Sequence, residues 1–269
     1  MSRLLRFENV FVDFTVKGRA VPAVRGITLD CPAGSVTGLI GESGSGKSVL
    51  GQSVMRLLPS SAVIRGDIYY GDMSLTGASE FELRRLRGTI VGFIPQNPDS
   101  AFDPLQSVGR QIAEPLRMRG MSCKEADRAV RERLRVLGFD NPDDIAAQYP
   151  FRLSGGMCQR ALCALGTIAE PEFLIADEPT KGLDVILRKQ VVKLFSTLRN
   201  EGRGMLVITH DLTFAEYVCD YVAVMKAGVI VEAGPTKEIF MNPGHAYTKL
   251  LLDARPGALL KARRRNGAT

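Results

Sequence analysis

The sequence predicts an α/β fold with a mostly parallel sheet, an N-terminal antiparallel β region and an inserted α-helical subdomain. Three observations predict it. After residue 154, short apolar runs alternate with helical patterns, an order that is typical of parallel sheets covered by helices on both faces. The first 40 residues instead show the alternation of exposed strands, and residues 105–150 are mostly helical.

Length and composition agree with this fold and exclude several other classes. The chain has 269 residues, of which 45% are hydrophobic and 24% are charged, so a disordered or fibrous protein is excluded. It contains neither a recognisable signal peptide nor the run of about 18 apolar residues that a membrane-spanning helix needs. Its five cysteines are scattered and odd in number, which argues against disulfides and zinc or iron–sulfur sites and favours a reducing cytoplasm.

The first third of the chain is predicted to be rich in strands. Apolar side chains largely alternate along residues 7–16, and the turn at 17–19 suits a hairpin. Residues 36–40 form a short apolar strand. A helix is predicted to follow residue 47 and to stop at Pro59. Residues 66–96 are expected to return to strands and turns.

The middle of the chain is predicted to be a helical insertion. Ser122 and Glu125 have the spacing of a capping box, which begins a helix, and Gly138 stands where the end of that helix favours glycine. Beyond it the chain alternates again between helices and strands. The predicted elements are a helix from 157, a strand over 173–177, a helix near 185–200 and a strand over 205–209.

These patterns predict the organisation of the chain. Residues 1–104 and 151–253 form the core, a RecA-like domain with its N-terminal β region, and residues 105–150 form the insertion. Residues 254–269 form a basic C-terminal tail. The net charge is +6, and the tail holds much of it, so the body has only a small positive excess and does not resemble a general polyanion-binding protein. The tail itself either remains a solvated terminus or contacts acidic lipids or nucleic acid.

A phosphate-binding loop is the strongest single signal. The run Gly41-Glu42-Ser43-Gly44-Ser45-Gly46-Lys47-Ser48 fits G-x-x-x-x-G-K-S/T at every fixed position. Its glycines allow backbone N–H groups to surround phosphates, and the following helix directs its positive N-terminus at them. We predict that Lys47 reaches the β- and γ-phosphates of a nucleotide and that the Ser48 hydroxyl binds Mg²⁺.

Two carboxylates end an apolar strand later in the chain. Phe173 to Ala176 are followed by Asp177 and Glu178. A strand buried in a parallel sheet delivers such residues to its carboxyl edge, where ligands bind in folds of this type. We predict that Asp177 holds Mg²⁺, directly or through water, and that Glu178 acts as the general base for an attacking water.

A third motif lies just before that strand and carries a family resemblance. Leu153-Ser154-Gly155-Gly156-Met157, followed by Gln159-Arg160, resembles the signature motif of the ATP-binding-cassette (ABC) ATPases. Other positions match the same family. They are Gln96 as the Q-loop, Lys181-Gly182-Leu183-Asp184 as the D-loop and His210 as the switch histidine. The resemblance covers residues 4 to about 253, nearly the whole chain.

The resemblance implies how these residues act. Family members form head-to-tail pairs with two ATP molecules between them, so Ser154, Gly155, Gly156 and Asp184 are expected to face nucleotide bound by the opposite subunit. His210 is expected to contact the γ-phosphate and to position the water, since it follows the predicted strand over 205–209.

Two further assignments follow from the same family. Gln96 is expected to sense Mg²⁺ and the attacking water, and to link the site to the helical insertion, which docks on a membrane partner. Phe14 stands where an aromatic residue stacks on adenine, although Phe11 is an alternative and a role in the core remains open for both.

The chain most resembles one branch of the family. Segments at 96–98, 111–116 and 242–248 resemble subunits of dipeptide, oligopeptide and nickel importers. Many peptide-importer relatives continue into a cysteine-rich extension that holds an iron–sulfur cluster, but no cysteine follows Cys219 here, so no such cluster is expected. The shorter form favours a nickel or metal-chelate importer. Met157, Ala246 and the Lys181-Gly182 pair depart from the commoner residues of the family.

The resemblance therefore implies a peripheral ATPase subunit at the cytoplasmic face of the plasma membrane, with ATP and Mg²⁺ as cofactors. The expected partners are two permeases, a second ABC ATPase in a heterodimer or a homodimer, and indirectly an extracytoplasmic binding protein. Two alternatives remain. One is a soluble ABC-type ATPase that acts on nucleic acid or ribosomes, although no nucleic acid is expected, and the other is a subunit that binds ATP but hydrolyses it poorly.

Overall fold

The computed structural model describes residues 4–254, except for the side chain of Asp99. Within this range the chain forms strands β1 (Leu5–Val16), β2 (Arg19–Cys31), β3 (Val36–Ile40), β4 (Ala62–Tyr70), β5 (Met73–Ser74), β6 (Val91–Ile94), β7 (Phe173–Asp177), β8 (Gly204–Thr209), β9 (Tyr221–Lys226) and β10 (Val229–Pro235). Its helices are α1 (Lys47–Val54), α2 (Glu80–Leu86), α3 (Pro98–Ala101), α4 (Val108–Met118), α5 (Cys123–Val136), α6 (Pro142–Ala147), α7 (Gly155–Thr167), α8 (Val185–Asn200), α9 (Leu212–Val218), α10 (Thr236–Met241) and α11 (Ala246–Asp253), with a short 3₁₀ helix at Pro150–Arg152.

A six-stranded sheet forms the centre of the molecule, in the order β10-β9-β3-β8-β7-β6. The pairings β9–β3, β3–β8, β8–β7 and β7–β6 are all parallel, and only β10 runs antiparallel, beside β9. Strands β3, β7 and β8 are buried along their whole length, as expected for strands covered on both faces. Because parallel strands end at a common edge, the segments that follow β3, β6, β7 and β8 meet there.

A second sheet is antiparallel, in the order β2-β1-β4-β5. Its first hairpin turns at Lys17 and Gly18, which both adopt positive φ. Buried residues of this sheet pack with α1 and with one face of the central sheet, in a cluster that includes Phe7, Leu50 and Ile175. The predicted N-terminal β region is therefore observed, and it covers the side of the central sheet that carries α1.

Helices α4, α5 and α6 form the predicted insertion and pack on one another, and α4 and α5 also pack on α7. Helix α5 begins with the predicted capping box, since Ser122 and Glu125 each bond the other's backbone N–H, and Gly138 follows its end with φ of 76°. A second hydrophobic cluster joins these helices to the other face of the central sheet, through residues such as Ile112, Leu134 and Leu162.

Two local predictions are wrong. Residues 66–96 contain helix α2, which begins with a capping box between Ser79 and Glu82, in addition to strands and turns. The Ser-x-x-Glu spacing that predicts the start of α5 therefore also marks the start of α2. The helix after the phosphate loop ends at Val54 instead of near Pro59, because Arg56 adopts a positive φ that an α-helix does not permit.

The C-terminal part returns to the edge of the central sheet through β9, β10, α10 and α11. The predicted basic tail lies outside the described residues, apart from Ala254. No helix within residues 4–254 has both the length and the apolar character that crossing a membrane requires.

Candidate functional site

The predicted phosphate loop, residues 41–48, connects β3 to α1 at the carboxyl edge of the central sheet. Gly41 and Gly46 adopt φ values of 151° and 101°, a region that favours glycine. A side chain at Gly41 would collide with the carbonyl oxygen of Met225, and one at Gly46 with that of Ala23. Glycine is therefore required at both positions for the loop to lie against its neighbours.

The side chain of Lys47 is buried and turns back onto this loop. Its Nζ donates hydrogen bonds to the carbonyl oxygens of Gly41 at 2.9 Å and Glu42 at 2.7 Å, and lies 3.4 Å from Oγ of Ser45. Burial lowers the pKa of Lys47, and nearby carboxylates oppose this shift. The ammonium group is thus held inside the curve of the loop, while Ser43 and Gly44 at its tip are exposed.

Asp177, the last residue of β7, is the most unusual polar group of the site. Its side chain is only 1% exposed, and neither carboxylate oxygen makes a hydrogen bond of standard geometry with any described residue. Burial raises the pKa of Asp177 to about 6, the nearby charge of Glu178 raises it further, and the Ser48 hydroxyl and the Lys47 ammonium lower it. Lys47 and Ser48 thus lie near the buried carboxylate of Asp177, which makes no hydrogen bond of standard geometry.

Glu178, by contrast, is buried and held by several donors. Its Oε1 accepts from the backbone N–H of His210 at 3.1 Å and lies 2.7 Å from Nδ1 of the same residue. Its Oε2 accepts from the hydroxyl of Thr209 at 3.2 Å. The predicted base and the predicted switch histidine are therefore in direct contact, although they lie on different strand ends, after β7 and β8.

The backbone at Glu178 is also constrained. Its φ is +51°, an uncommon value for a residue other than glycine. Its N–H donates to the carbonyl oxygen of Ile208 at 2.8 Å, and its own carbonyl accepts from the buried side chain of Gln159 at 3.4 Å. Gln159 belongs to α7, so the helix that follows the signature motif contacts the backbone of the predicted base.

The signature residues are bonded within their own helix and not to the phosphate loop, among residues 4–254. Ser154 caps α7 by accepting the N–H of Met157 at 3.3 Å. A side chain at Gly155 would meet open space, whereas one at Gly156 would contact Gly182, Leu183 and Leu187. No hydrogen bond joins these three residues to residues 41–48 in the part of the chain that the structure describes.

Asp184 caps the next helix. One carboxylate oxygen accepts the N–H groups of Ile186 at 2.8 Å and Leu187 at 2.9 Å, at the start of α8. Farther along α8, Arg188 forms an ion pair of 3.1 Å with Asp211, which follows His210. The segment around Asp184 is therefore tied to the switch histidine through a helix and a salt bridge.

The other predicted residues have fewer contacts. Gln96 is exposed and follows β6, beside the strand that ends in Asp177. Phe14 is half-buried and packs against the cluster shared by the two sheets. The ring of Phe11 lies under the guanidinium of Arg65, 5.4 Å from its centroid.

Sequence reasoning missed the supports of the loop. The hydroxyl of Tyr247, in α11, accepts the backbone N–H of Glu42 at 3.0 Å, and the N–H of Gly228 donates to the carbonyl of Ser45 at 3.0 Å. Both supports come from the C-terminal part of the chain. In the sequence the segment around Tyr247 carries only a family resemblance, since a contact between a side chain and a distant backbone amide leaves no pattern in the sequence.

This arrangement has the chemistry of a phosphate-transfer site. It combines a glycine loop at a helix N-terminus, a buried cation, an unsatisfied carboxylate and a second carboxylate that is oriented by an imidazole. The oriented carboxylate can accept a proton from water, and the unsatisfied one has the oxygen ligands that Mg²⁺ prefers.

Comparisons with known proteins agree with this chemistry. The profile of the ABC transporter family matches residues 24–181. The dipeptide transport ATP-binding protein DppD of Bacillus subtilis is 42% identical over 260 residues, which cover 95% of this chain and 78% of that protein. The oligopeptide transport ATP-binding protein OppD of the same organism is 40% identical over 261 residues, covering 95% and 73%.

A solved structure has the same fold. The ATP-binding cassette MJ0796, a dimer in a post-hydrolysis state bound to ADP and phosphate, superposes with a TM-score of 0.79 at 24% identity, covering 86% of this chain and 98% of that one. The two Bacillus subtilis relatives share more with this chain than the fold, because they are about 40% identical to it over 95% of its length. The chain therefore belongs to the ABC transporter family and is an ATP-binding-cassette ATPase.

Proposed function

We propose that this chain hydrolyses Mg²⁺-bound ATP at the carboxyl edge of its central sheet and couples that reaction to the import of peptides. One observation carries the assignment of the site. The buried carboxylate of Asp177 lacks a hydrogen bond of standard geometry among the described residues and lies beside the phosphate loop, while the neighbouring Glu178 is already oriented by His210.

The residues present fit a magnesium ion. A buried carboxylate that makes no hydrogen bond of standard geometry is costly unless another group compensates its charge, and the Ser48 hydroxyl and the Gln96 amide belong to the same sheet edge. We assign Asp177, Ser48 and Gln96 as the residues that hold Mg²⁺. These residues would hold the ion where its charge would offset that of the triphosphate.

The chain's own groups then perform the reaction. Lys47 exchanges its contacts with the loop carbonyls for the β- and γ-phosphates, and the N–H groups of residues 41–48 surround them. Glu178 accepts a proton from the attacking water. His210, whose Nδ1 is paired with Glu178, contacts the γ-phosphate through its other ring nitrogen and positions the water.

A second cassette completes the site. The signature residues Ser154, Gly155 and Gly156, together with Asp184, serve the nucleotide of the opposite subunit in a head-to-tail pair. The exposure of Val185 and Ile186, at 67% and 73%, beside Asp184 supports this, since apolar side chains exposed together are typical of a partner surface. The partner is a second ABC ATPase or another copy of this chain.

An aromatic residue of β1 stacks on adenine. Phe14 is the first candidate, and Phe11 is the second. Phe14 packs partly against the core, and Phe11 is already covered by Arg65 on one face, so a single substitution at each position separates the two.

Peptides are the proposed cargo. The support comes from two relatives, a dipeptide and an oligopeptide transport protein, at 42% and 40% identity. Nickel or metal-chelate import is the second candidate, because the segment at 242–248 also resembles nickel importers. In both cases the core, residues 1–104 and 151–253, binds ATP, and the helical insertion, residues 105–150, docks on two permeases at the cytoplasmic face of the membrane. A binding protein on the other face supplies the cargo.

The experiment is affinity purification of the full chain from detergent-solubilised membranes of its source. We expect two permeases and a second cassette ATPase to copurify. Vesicles that contain the purified complex and its binding protein should then take up a labelled dipeptide in an ATP-dependent manner, and labelled nickel should not compete. Uptake of nickel alone would select the second cargo, whereas recovery only with ribosomes or nucleic acid would contradict the importer assignment.

A further inference from the structure

The C-terminal helix α11 reaches the phosphate loop through one side chain. Tyr247 is 9% exposed, and its hydroxyl oxygen accepts the backbone N–H of Glu42 at 3.0 Å. The two residues are 205 positions apart in the chain. This contact joins the last described helix to the second residue of the loop that we assign to the triphosphate.

The tyrosine ring is itself held in place. The ammonium group of Lys226 lies 4.6 Å from the centroid of the ring, a distance typical of a cation–π contact. The ring nitrogen Nδ1 of His245 accepts the N–H of Tyr247 at 3.1 Å and so caps α11.

The start of α11 is anchored to β10. The carboxylate of Glu232 accepts the N–H groups of Gly244 at 2.7 Å and His245 at 3.1 Å. A continuous chain of contacts therefore runs from the central sheet through Glu232, His245 and Tyr247 to the loop. These contacts fix the position of the Tyr247 hydroxyl, because they hold the start of α11 and the ring itself.

Glu42 contacts both Tyr247, through its N–H, and Lys47, through its carbonyl oxygen. Its carbonyl accepts from Nζ of Lys47 at 2.7 Å and from the Ser45 hydroxyl at 2.9 Å. Without the hydroxyl of Tyr247, the backbone N–H of Glu42 would lose its one hydrogen bond within residues 4–254. The peptide unit before Glu42 could then rotate, and the loop would have to be ordered again when nucleotide binds.

We propose that Tyr247 is a positioning residue that holds the phosphate loop in the conformation that receives ATP. The inference rests on the proposed role of residues 41–48. Its hydroxyl contacts the backbone of the loop and not the reacting atoms, so it acts on nucleotide affinity. Pre-ordering of a binding loop improves affinity because less conformational entropy is lost on binding.

The test is the variant Tyr247→Phe in the full chain, which removes one oxygen and keeps the ring under Lys226. We expect the Kd for ATP, measured with a fluorescent analogue, and the KM for ATP to rise about fivefold to tenfold, an effect typical of one lost hydrogen bond. The kcat should stay within about twofold, since Glu178 and His210 are unchanged. Hydrogen exchange at the amide of Glu42 in the nucleotide-free protein should become faster.

Tyr217→Phe is the matched control, because Tyr217 is 71% exposed on α9 and the change also removes one hydroxyl. It should alter neither the Kd nor the exchange of the loop. Unchanged affinity and unchanged exchange in Tyr247→Phe would overturn the inference, as would an equal effect of both variants. Lys47→Ala is measured alongside. If it leaves ATP affinity intact, the assignment of the loop fails, whereas an effect of Lys47→Ala without one of Tyr247→Phe removes only the role of the tyrosine.

Discussion

Nδ1 of His210 lies 2.7 Å from Oε1 of Glu178, and the backbone N–H of His210 donates to the same oxygen. His210 thus orients the Glu178 carboxylate through two contacts. It follows β8, the parallel neighbour of the strand that precedes Glu178. Since Nδ1 faces the carboxylate, Nε2 is the ring nitrogen left for a second partner.

Glu178→Gln should abolish hydrolysis and preserve binding. The amide keeps one oxygen to accept from His210 and presents an NH₂ group to the hydroxyl of Thr209, so the fold is retained, but it cannot accept a proton from water. We expect kcat to fall about 10²–10⁴-fold with the Kd for ATP little changed, and a closed dimer to accumulate in size-exclusion chromatography. Glu238→Gln, an exposed change on α10, is the control, and wild-type turnover in Glu178→Gln would refute the role of the base.

Lys47→Ala should abolish nucleotide binding. Its ammonium group is already desolvated and aimed into the loop, and it contributes charge-assisted contacts that no neighbour replaces. We expect the Kd for ATP to rise at least about 100-fold, the equivalent of about 3 kcal/mol, in a calorimetric titration. Lys237→Ala removes an exposed lysine of α10 and should bind like the wild type. Equal affinities in the two variants would contradict the predicted phosphate loop.

Asp177→Asn should stabilise the nucleotide- and metal-free protein, and more so at higher pH. Since the pKa of Asp177 is raised to about 6, the folded state holds this proton more tightly than the unfolded state, and the wild type loses stability as pH rises from about 4 to 6. The asparagine does not titrate, so the advantage of the variant should grow by about 2 kcal/mol between pH 4 and pH 7.5.

Thermal unfolding in a metal chelator, at several pH values, measures this difference. Asp72→Asn is the control, because Asp72 is exposed in a turn. A difference between Asp177→Asn and wild type that does not change with pH would show that the buried carboxyl does not titrate near 6. The same variant should bind ATP with little dependence on Mg²⁺.

Leu105→Asp should uncouple transport from hydrolysis. Leu105 is 84% exposed at the start of the helical insertion, and a carboxylate there opposes docking on an apolar partner surface. We expect peptide uptake in vesicles to fall at least about tenfold, as on loss of a central interface residue, with the ATPase rate of the isolated chain unchanged. Phe81→Asp, at a 71% exposed position outside the insertion, should leave both rates unaltered. Normal uptake by Leu105→Asp would exclude this residue from the docking surface.

Much of the site could be predicted because its residues follow strands. Lys47, Asp177, Glu178 and His210 lie in short segments after β3, β7 and β8, and parallel strands bring such segments to one edge. The predicted contributions of Ser154 and Asp184 to a nucleotide, in contrast, depend on a second subunit. Their contacts within the chain are helix caps, and they remain predictions.

The sequence by itself determined the alternation of strands and helices, the phosphate loop and the order of the two carboxylates. These features depend on the spacing of apolar residues, the spacing of glycines and the residues that follow each apolar run, which are all local properties of the chain. Only the tertiary structure decided which distant groups complete these motifs. It oriented Glu178 with His210 and gave the backbone of Glu178 a φ of +51°. It also placed the hydroxyl of Tyr247 on the amide of Glu42. A backbone amide has the same chemistry at every residue except proline, so its partner is chosen by packing and not by any pattern along the chain.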